Sequence, residues 1–159
     1  INNTQPIKFE YWINTIVDLN ISYNNIGYIG VKDIVRYIPL NSCIEVINFE
    51  AINLCNDGVK LMSDILDNLV HLRELNLSKN CITEIGAGVL AIVNFNKLSI
   101  LNLEYNHIGY AGFKKILERD RILYGESISK NFKIYIFENG LNGDEIRMVE
   151  NLSKGTSYR

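Results

Sequence analysis

The residues with which this chain could do chemistry are few and poorly grouped. His71 and His107 are the only two histidines, and Cys43, Cys55 and Cys81 the only three cysteines. A zinc centre needs such ligands in close groups, in CxxC or HxxxH spacings or on one helix as HExxH. Neither pattern is present, and the cysteines stand 12 and 26 residues apart. Acyl transfer would need a GxSxG elbow, and phosphate binding a GxxxxGK[ST] loop or GxGxxG after a strand. None occurs, so no catalytic residue, metal ligand or cofactor is assigned. Both histidines read as solvated loop residues, and the odd cysteine count reads as reduced, half-buried thiols. Cys55 and Cys81 fall in neighbouring loops and can approach each other as free thiols.

Glycine pairs complete the inventory. Gly27-Tyr28-Ile29-Gly30 and Gly109-Tyr110-Ala111-Gly112 share one pattern 82 residues apart, which points to an internal repeat in place of a phosphate cradle.

That repeat organises the chain. Leu98, Leu101, Leu103, Asn106, Ile108, Gly112 and Ile116 recur as Leu72, Leu75, Leu77, Asn80, Ile82, Gly86 and Leu90. They recur again as Ile16, Leu19, Ile21, Asn24, Ile26, Gly30 and Ile34. A second unit has Ile44, Ile47, Phe49, Ile52, Leu54, Gly58 and Met62. A degenerate fifth has Asn131, Ile134, Ile136, Asn139, Leu141, Glu145 and Val149. Successive Asn positions (24, 52, 80, 106, 139) are 28, 28, 26 and 33 residues apart, room for a strand, a turn and a helix. The LxL core alternates with period two, as a half-buried strand must. Val59–Leu69, with Met62, Ile65, Leu66 and Leu69, has the three-to-four spacing of an amphipathic helix.

The pattern LxxLxLxxNxIGxxGxxxI resembles the ribonuclease-inhibitor-like class of leucine-rich repeats, over residues 16–152. The resemblance implies an α/β solenoid of about five repeats. It would form a right-handed arc, with a parallel β-sheet on the concave face and helices on the convex face. Repeats start near residues 16, 44, 72, 98 and 131. Residues 1–15, with Phe9, Tyr11 and Trp12, form an N-terminal cap or the remnant of a preceding repeat. Residues 153–159 form a polar C-terminal tail.

Each recurring position has a physical task. The Asn side chains at 24, 80, 106 and 139 satisfy turn backbone groups and stack into a ladder. The glycines at 30, 58, 86 and 112 either let the helix start pack closely or take a backbone conformation that other residues resist. Ile52 cannot make the ladder bonds; Asn53 partly replaces it, with distortion of that turn. Glu145 replaces the fifth glycine, and the insert Glu118–Lys130 lengthens that unit, as befits a modified last repeat.

Composition narrows function without naming it. A hydrophobic content of 47% with 21% charged residues suits one globular domain. A net charge of −2 gives no pull toward nucleic acid, and no run reaches the roughly 18 apolar residues that span a bilayer. The sequons Asn20-Ile21-Ser22 and Asn76-Leu77-Ser78 fall in predicted strands, where a glycan would block the sheet. With the unpaired cysteines, this favours a reducing, cytoplasmic compartment. The 24 Ile and 21 Asn against two Pro reflect an AT-rich genome.

The informative surface is the concave face. Its middle column reads Asn20, Asn48, Asn76, Asn102 and Tyr135. Flanking it are Asp18, Val46, Glu74, Ile100 and Lys133, then Ser22, Glu50, Ser78, Glu104 and Phe137. Tyr23, Ala51, Lys79, Tyr105 and Glu138 continue the rim. Polar and acidic residues predominate toward the N-terminal end, and Ile100, Tyr105, Tyr135 and Phe137 toward the C-terminal end. Exposed rings beside carboxylates favour a protein partner. The partner-binding residues are therefore Asn20, Asn48, Glu50, Asn76, Lys79, Ile100, Asn102, Glu104, Tyr105, Tyr135 and Phe137.

The expected function is a non-catalytic protein–protein interaction module, monomeric or part of a larger chain, acting on neither nucleic acid nor membrane. The alternative is a recognition or scaffold fragment of a larger protein: a bacterial effector working on host proteins in the host cytosol, an immune sensor or a ciliary assembly component.

Overall fold

The computed structural model describes residues 15–38, 42–95, 97–124 and 132–152, with side chains left aside at 119–124 and 152. Residues 1–14 of the expected N-terminal cap or repeat remnant, residues 125–130 of the insert before the fifth unit and the C-terminal tail lie outside them.

Five three-residue strands follow from the five LxL cores. They are β1 (Asp18–Asn20), β2 (Val46–Asn48), β3 (Glu74–Asn76), β4 (Ile100–Asn102) and β5 (Lys133–Tyr135). They pair in parallel, in sequence order, as one open sheet. The helices are α1 (Gly27–Val35), α2 (Cys55–Leu66), α3 (Glu84–Leu90), α4 (Gly109–Tyr124) and α5 (Gly143–Leu152). The chain is thus an α/β solenoid of strand, loop and helix units. Helix α2 starts earlier and stops sooner than the apolar spacing of 59–69 predicts; Leu69 is buried beyond its end.

Register is strict. Leu19, Ile47, Leu75, Leu101 and Ile134 stack across the sheet, as do Asn20, Asn48, Asn76, Asn102 and Tyr135. A one-residue slip would move every apolar side chain to the wrong face, which is why the pattern enforces this pairing. The first column belongs to the core with Phe49, Leu77, Leu103 and, from the helices, Met62, Leu90 and Phe113.

The asparagine ladder holds three of the turns. Asn80, Asn106 and Asn139 are buried. The Asn80 side-chain carbonyl accepts from the backbone of Ile52 and Leu54, and its amide donates to Phe49 and Ser78. Asn106 repeats this one turn on, accepting from Asn80 and Ile82 and donating to Leu77. Asn139 accepts from Ile108 and donates to Leu103. Each asparagine therefore serves the turn before it. Asn24, expected in the ladder, has no described turn before it; it is exposed and bonds only carbonyls of its own turn.

Ile52 is buried in the core, and Asn53 does not replace the missing amide. Asn53 is exposed and its side chain faces the Cys55 thiol. The first two turns keep there only the backbone bond that the other turns also make, Gly27 N–H donating to the Ile52 carbonyl at 2.8 Å as Cys55 donates to Asn80 and Gly109 to Asn139.

The glycines resolve into two kinds. Gly86 and Gly112 serve close packing: a Cβ on Gly112 would stand 3.0 Å from Ala87 Cβ and 3.2 Å from Glu84 Cα on α3. Left-handed backbone falls elsewhere, at Gly27, Gly109 and Gly140. Glu145, in place of a glycine, builds a capping box on α5. Its carboxylate accepts from Asn142 N–H, and the Asn142 side chain accepts from the N–H groups of Asp144 and Glu145.

Candidate functional site

The loops leaving the strands share one conformation that decides what the rim displays. Tyr23, Ala51, Lys79, Tyr105 and Glu138 all have positive φ, between 52° and 59°. For a side-chain-bearing residue this region costs about 1–2 kcal/mol. The strain is met by turn bonds that run from each unit to the next: Tyr23 N–H to the Glu50 carbonyl, Lys79 to Glu104 and Tyr105 to Phe137, at 2.8–3.0 Å.

The strand ends are built by the asparagine column. The side-chain carbonyls of Asn20, Asn48, Asn76 and Asn102 accept the backbone N–H two residues on, at Ser22, Glu50, Ser78 and Glu104. These Asx turns redirect the chain into the rim. Half of each amide is therefore committed to the fold. Asn20 is exposed and the other three are half-buried. Ser78, placed on the open face by the alternation of the strand, is instead buried and donates to the Asn76 side chain.

Rings and charges from all five turns meet along the rim. Lys79 Nζ lies 2.7 Å from a Glu50 carboxylate oxygen and 2.8 Å from the Tyr23 hydroxyl, which itself donates to Glu50. The same ammonium stands 5.2 Å from the centre of the Tyr23 ring and 5.6 Å from that of Tyr105. Tyr105 meets Phe137 edge to face, with ring centres 5.6 Å apart and planes at 81°. Tyr23, Tyr105 and Phe137 remain 66%, 47% and 55% exposed.

Electrostatics within this chain of contacts are shared unevenly. Burial pushes the Glu50 carboxyl up, but hydrogen bonds from Lys79, Tyr23 and Asn76 together outweigh it and hold the group below its ordinary value of 4.5. Hydrogen bonds to Glu50 and then Tyr23 raise the Lys79 ammonium well above its ordinary value.

The structure thus brings Glu50, Asn76, Lys79, Tyr105 and Phe137 into one network. Ile100, Glu104 and Tyr135 are half-buried on the same side of the sheet, and Asn20, Asn48 and Asn102 stand with them in the strand columns. Tyr23, which the sequence places only on the rim, also belongs to the network. Its repeat position, equivalent to Lys79 and Tyr105, was the available signal. It also corrects the expected gradient, since an exposed ring stands at the N-terminal end as well.

Elsewhere the groups that could do chemistry stay apart. Among the described residues no three His, Cys, Asp or Glu side chains converge in a way that could hold a metal. Both histidines are exposed. The cysteines are free; Cys43 and Cys81 are exposed, and only Cys55 is half-buried as expected. Burial, then the neighbouring Cys81 thiol, raises the Cys55 thiol above its ordinary value. No described helix is long and apolar enough to cross a membrane.

Comparison with known proteins agrees with the repeat assignment at three of the five units. A family model described as a leucine rich repeat matches residues 13–35, 68–91 and 96–117. FERM domain-containing protein C of Dictyostelium discoideum is 39% identical over 72 residues, covering 45% of this chain and 5% of that protein. The chain therefore aligns with a small fraction of that relative's length.

Proposed function

This chain is a leucine-rich repeat protein, and from that premise we propose that it is a non-catalytic module that holds a partner protein on the open face of its sheet and along the adjoining rim. Domains of this family generally bind other proteins. The observation that carries the reading is the stripe from Tyr23 through Lys79 and Tyr105 to Phe137. Large side chains are kept exposed there, on turns whose left-handed backbone a glycine would adopt with less strain. Aromatic residues in such a setting are the usual anchors of a binding hot spot.

The mechanism is complementarity of shape and hydrogen bonding, with no covalent step. Outward amide groups of Asn20, Asn48, Asn76 and Asn102, with Ile100 and Tyr135, extend the contact across the sheet. We place the module in the ribonuclease-inhibitor-like class, on the repeat spacing and the full helix in each unit, and in a cytoplasmic setting, on its free thiols.

The test is capture of a partner from source lysate, repeated with Tyr105→Ala, Tyr135→Ala and Phe137→Ala. Loss of capture in these variants supports the site; unchanged capture in all three sinks it. A second reading, a recognition arm within a longer polypeptide such as a scaffold or effector, is favoured by the length of the relative. Sequencing the surrounding reading frame decides it.

A further inference from the structure

We propose that Cys55 and Cys81 form a dithiol modification site, which closes to an intramolecular disulfide by exchange with a small disulfide of the glutathione class and reopens with the reduced thiol. The site is independent of the partner-binding reading above.

The pairing is built by the chain on either side of it. Cys55 opens α2 after β2, and Cys81 lies one turn on, between β3 and α3. Cys55 N–H donates at 3.0 Å to the carbonyl of Asn80, the residue before Cys81. Leu54 N–H donates to the Asn80 side chain at 3.1 Å. Beyond the pair, the Asn56 side chain donates to the Thr83 hydroxyl at 2.9 Å and accepts from the N–H groups of Thr83 and Gly86. The two segments are therefore fastened together before and after the cysteines. Stacked turns stand about 4.8 Å apart, inside the roughly 4.4–6.8 Å of Cα separation that a disulfide spans. The thiols themselves are in hydrogen-bond contact.

Comparison between turns gives an independent sign. Cys55 and Cys81 both have left-handed backbone, with φ of 53° and 54°. Cys55 takes the place that Gly27 and Gly109 hold in other turns, and Cys81 the place of Asn53 and Gly140, all likewise left-handed. Glycine and asparagine tolerate that region. Cysteine does not share their ease, yet it holds the position in both neighbouring turns. Cys43 precedes β2, at the other end of that strand from Cys55, and so stands outside the pair.

Exposure sets the order of events. Cys81 is exposed and Cys55 half-buried. The Cys81 thiolate attacks one sulfur of the glutathione disulfide, whose S–S bond breaks, and one glutathione leaves as a thiolate that takes up a proton. The Cys55 thiolate then attacks the Cys81 sulfur and expels the second glutathione. Two cysteine thiols are oxidised and one glutathione disulfide is reduced to two thiols.

The experiment uses the full chain carrying Cys43→Ser, equilibrated in mixtures of reduced and oxidised glutathione, quenched with acid and read by intact mass and peptide mapping. The expected product is a monomer two hydrogens lighter, with the Cys55 and Cys81 peptides joined. The ratio of squared reduced to oxidised glutathione at half-closure should be higher for the folded protein than for the chain unfolded in urea, by roughly tenfold or more. The closed form should accordingly unfold at higher urea concentration than the open one. Adding Cys81→Ser should leave only a glutathione adduct at Cys55. In the unsubstituted chain Cys43 should stay out of the bond. Adducts that persist on both cysteines, a bridge to Cys43, a disulfide-linked dimer, or a ratio no higher in the folded protein than in the unfolded chain would each overturn the inference.

Discussion

The side-chain carbonyl of Asn80 accepts the backbone N–H of Ile52, 28 residues earlier, at 3.1 Å. Asn80 thus serves a turn in which the matching position carries an apolar side chain. Ladder bonds run backward along the solenoid, so an asparagine matters to the unit before it.

Replacement of Asn80 by alanine should cost about 3 kcal/mol. It leaves the N–H groups of Ile52 and Leu54 and the carbonyl of Phe49 without partners in the interior. Asn24→Ala, at the exposed start of the series, should cost about 0.5 kcal/mol, since water can replace its bonds. Urea denaturation measures both, and equal losses would contradict the backward-running ladder.

Two glycines should respond differently to alanine. At Gly112 the added methyl meets Ala87 and Glu84 on the neighbouring helix, an overpacking of about 1–3 kcal/mol. At Gly109 nothing lies within 4 Å, and only the left-handed backbone, φ +64°, is penalised, by about 1 kcal/mol. Substitution by D-alanine, which favours positive φ, should restore stability at 109 and fail to do so at 112.

Acid should weaken the Glu50–Lys79 contact. Glu50 has a lowered folded pKa, so its contribution is present above the unfolded carboxylate value and is lost as pH falls through the folded one. Lys79, raised in the fold, contributes fully below its unfolded value and loses that contribution only as pH rises through the folded one. Between neutrality and pH 4.5 both groups are charged. Any advantage of the native protein over Glu50→Gln at neutral pH should therefore shrink below pH 4.5. Urea midpoints of the two proteins at several pH values read this directly; a gap independent of pH would refute it.

Alkylation should distinguish the thiols. Cys55, half-buried and with its thiol raised by burial and by Cys81, should react with iodoacetamide more slowly than Cys81 and Cys43 at pH 8. Mass spectrometry of timed samples gives the order. Substituting Cys81 by serine should speed labelling of Cys55, by removing one of the causes that raise it.

The linear order of residues determined the solenoid. Period-two cores at Leu19, Ile47, Leu75, Leu101 and Ile134 and the recurring asparagine select strand, turn and helix, and in-register stacking follows because a slip exposes every core residue. The rim columns were also legible, Tyr105, Lys79 and Phe137 among them. Hidden in the sequence were the roles that depend on a neighbouring unit. The Asn56 side chain accepts from Thr83 and Gly86 on the next repeat, which no local signal announces.

Tyr23, Glu50 and Lys79 show the division most clearly. Their types and repeat positions are in the sequence, yet Lys79 reaches Tyr23 across 56 residues. Only the tertiary structure decides that Lys79 turns back toward Glu50 and away from Glu104. The physical reason is that stacked turns stand about 4.8 Å apart, so a lysine can reach the turn on either side. Rings flank the ammonium on both sides, and what distinguishes the Glu50 side is the Tyr23 hydroxyl that bonds both Lys79 and Glu50, information that resides in the packing of three turns and in none of them alone.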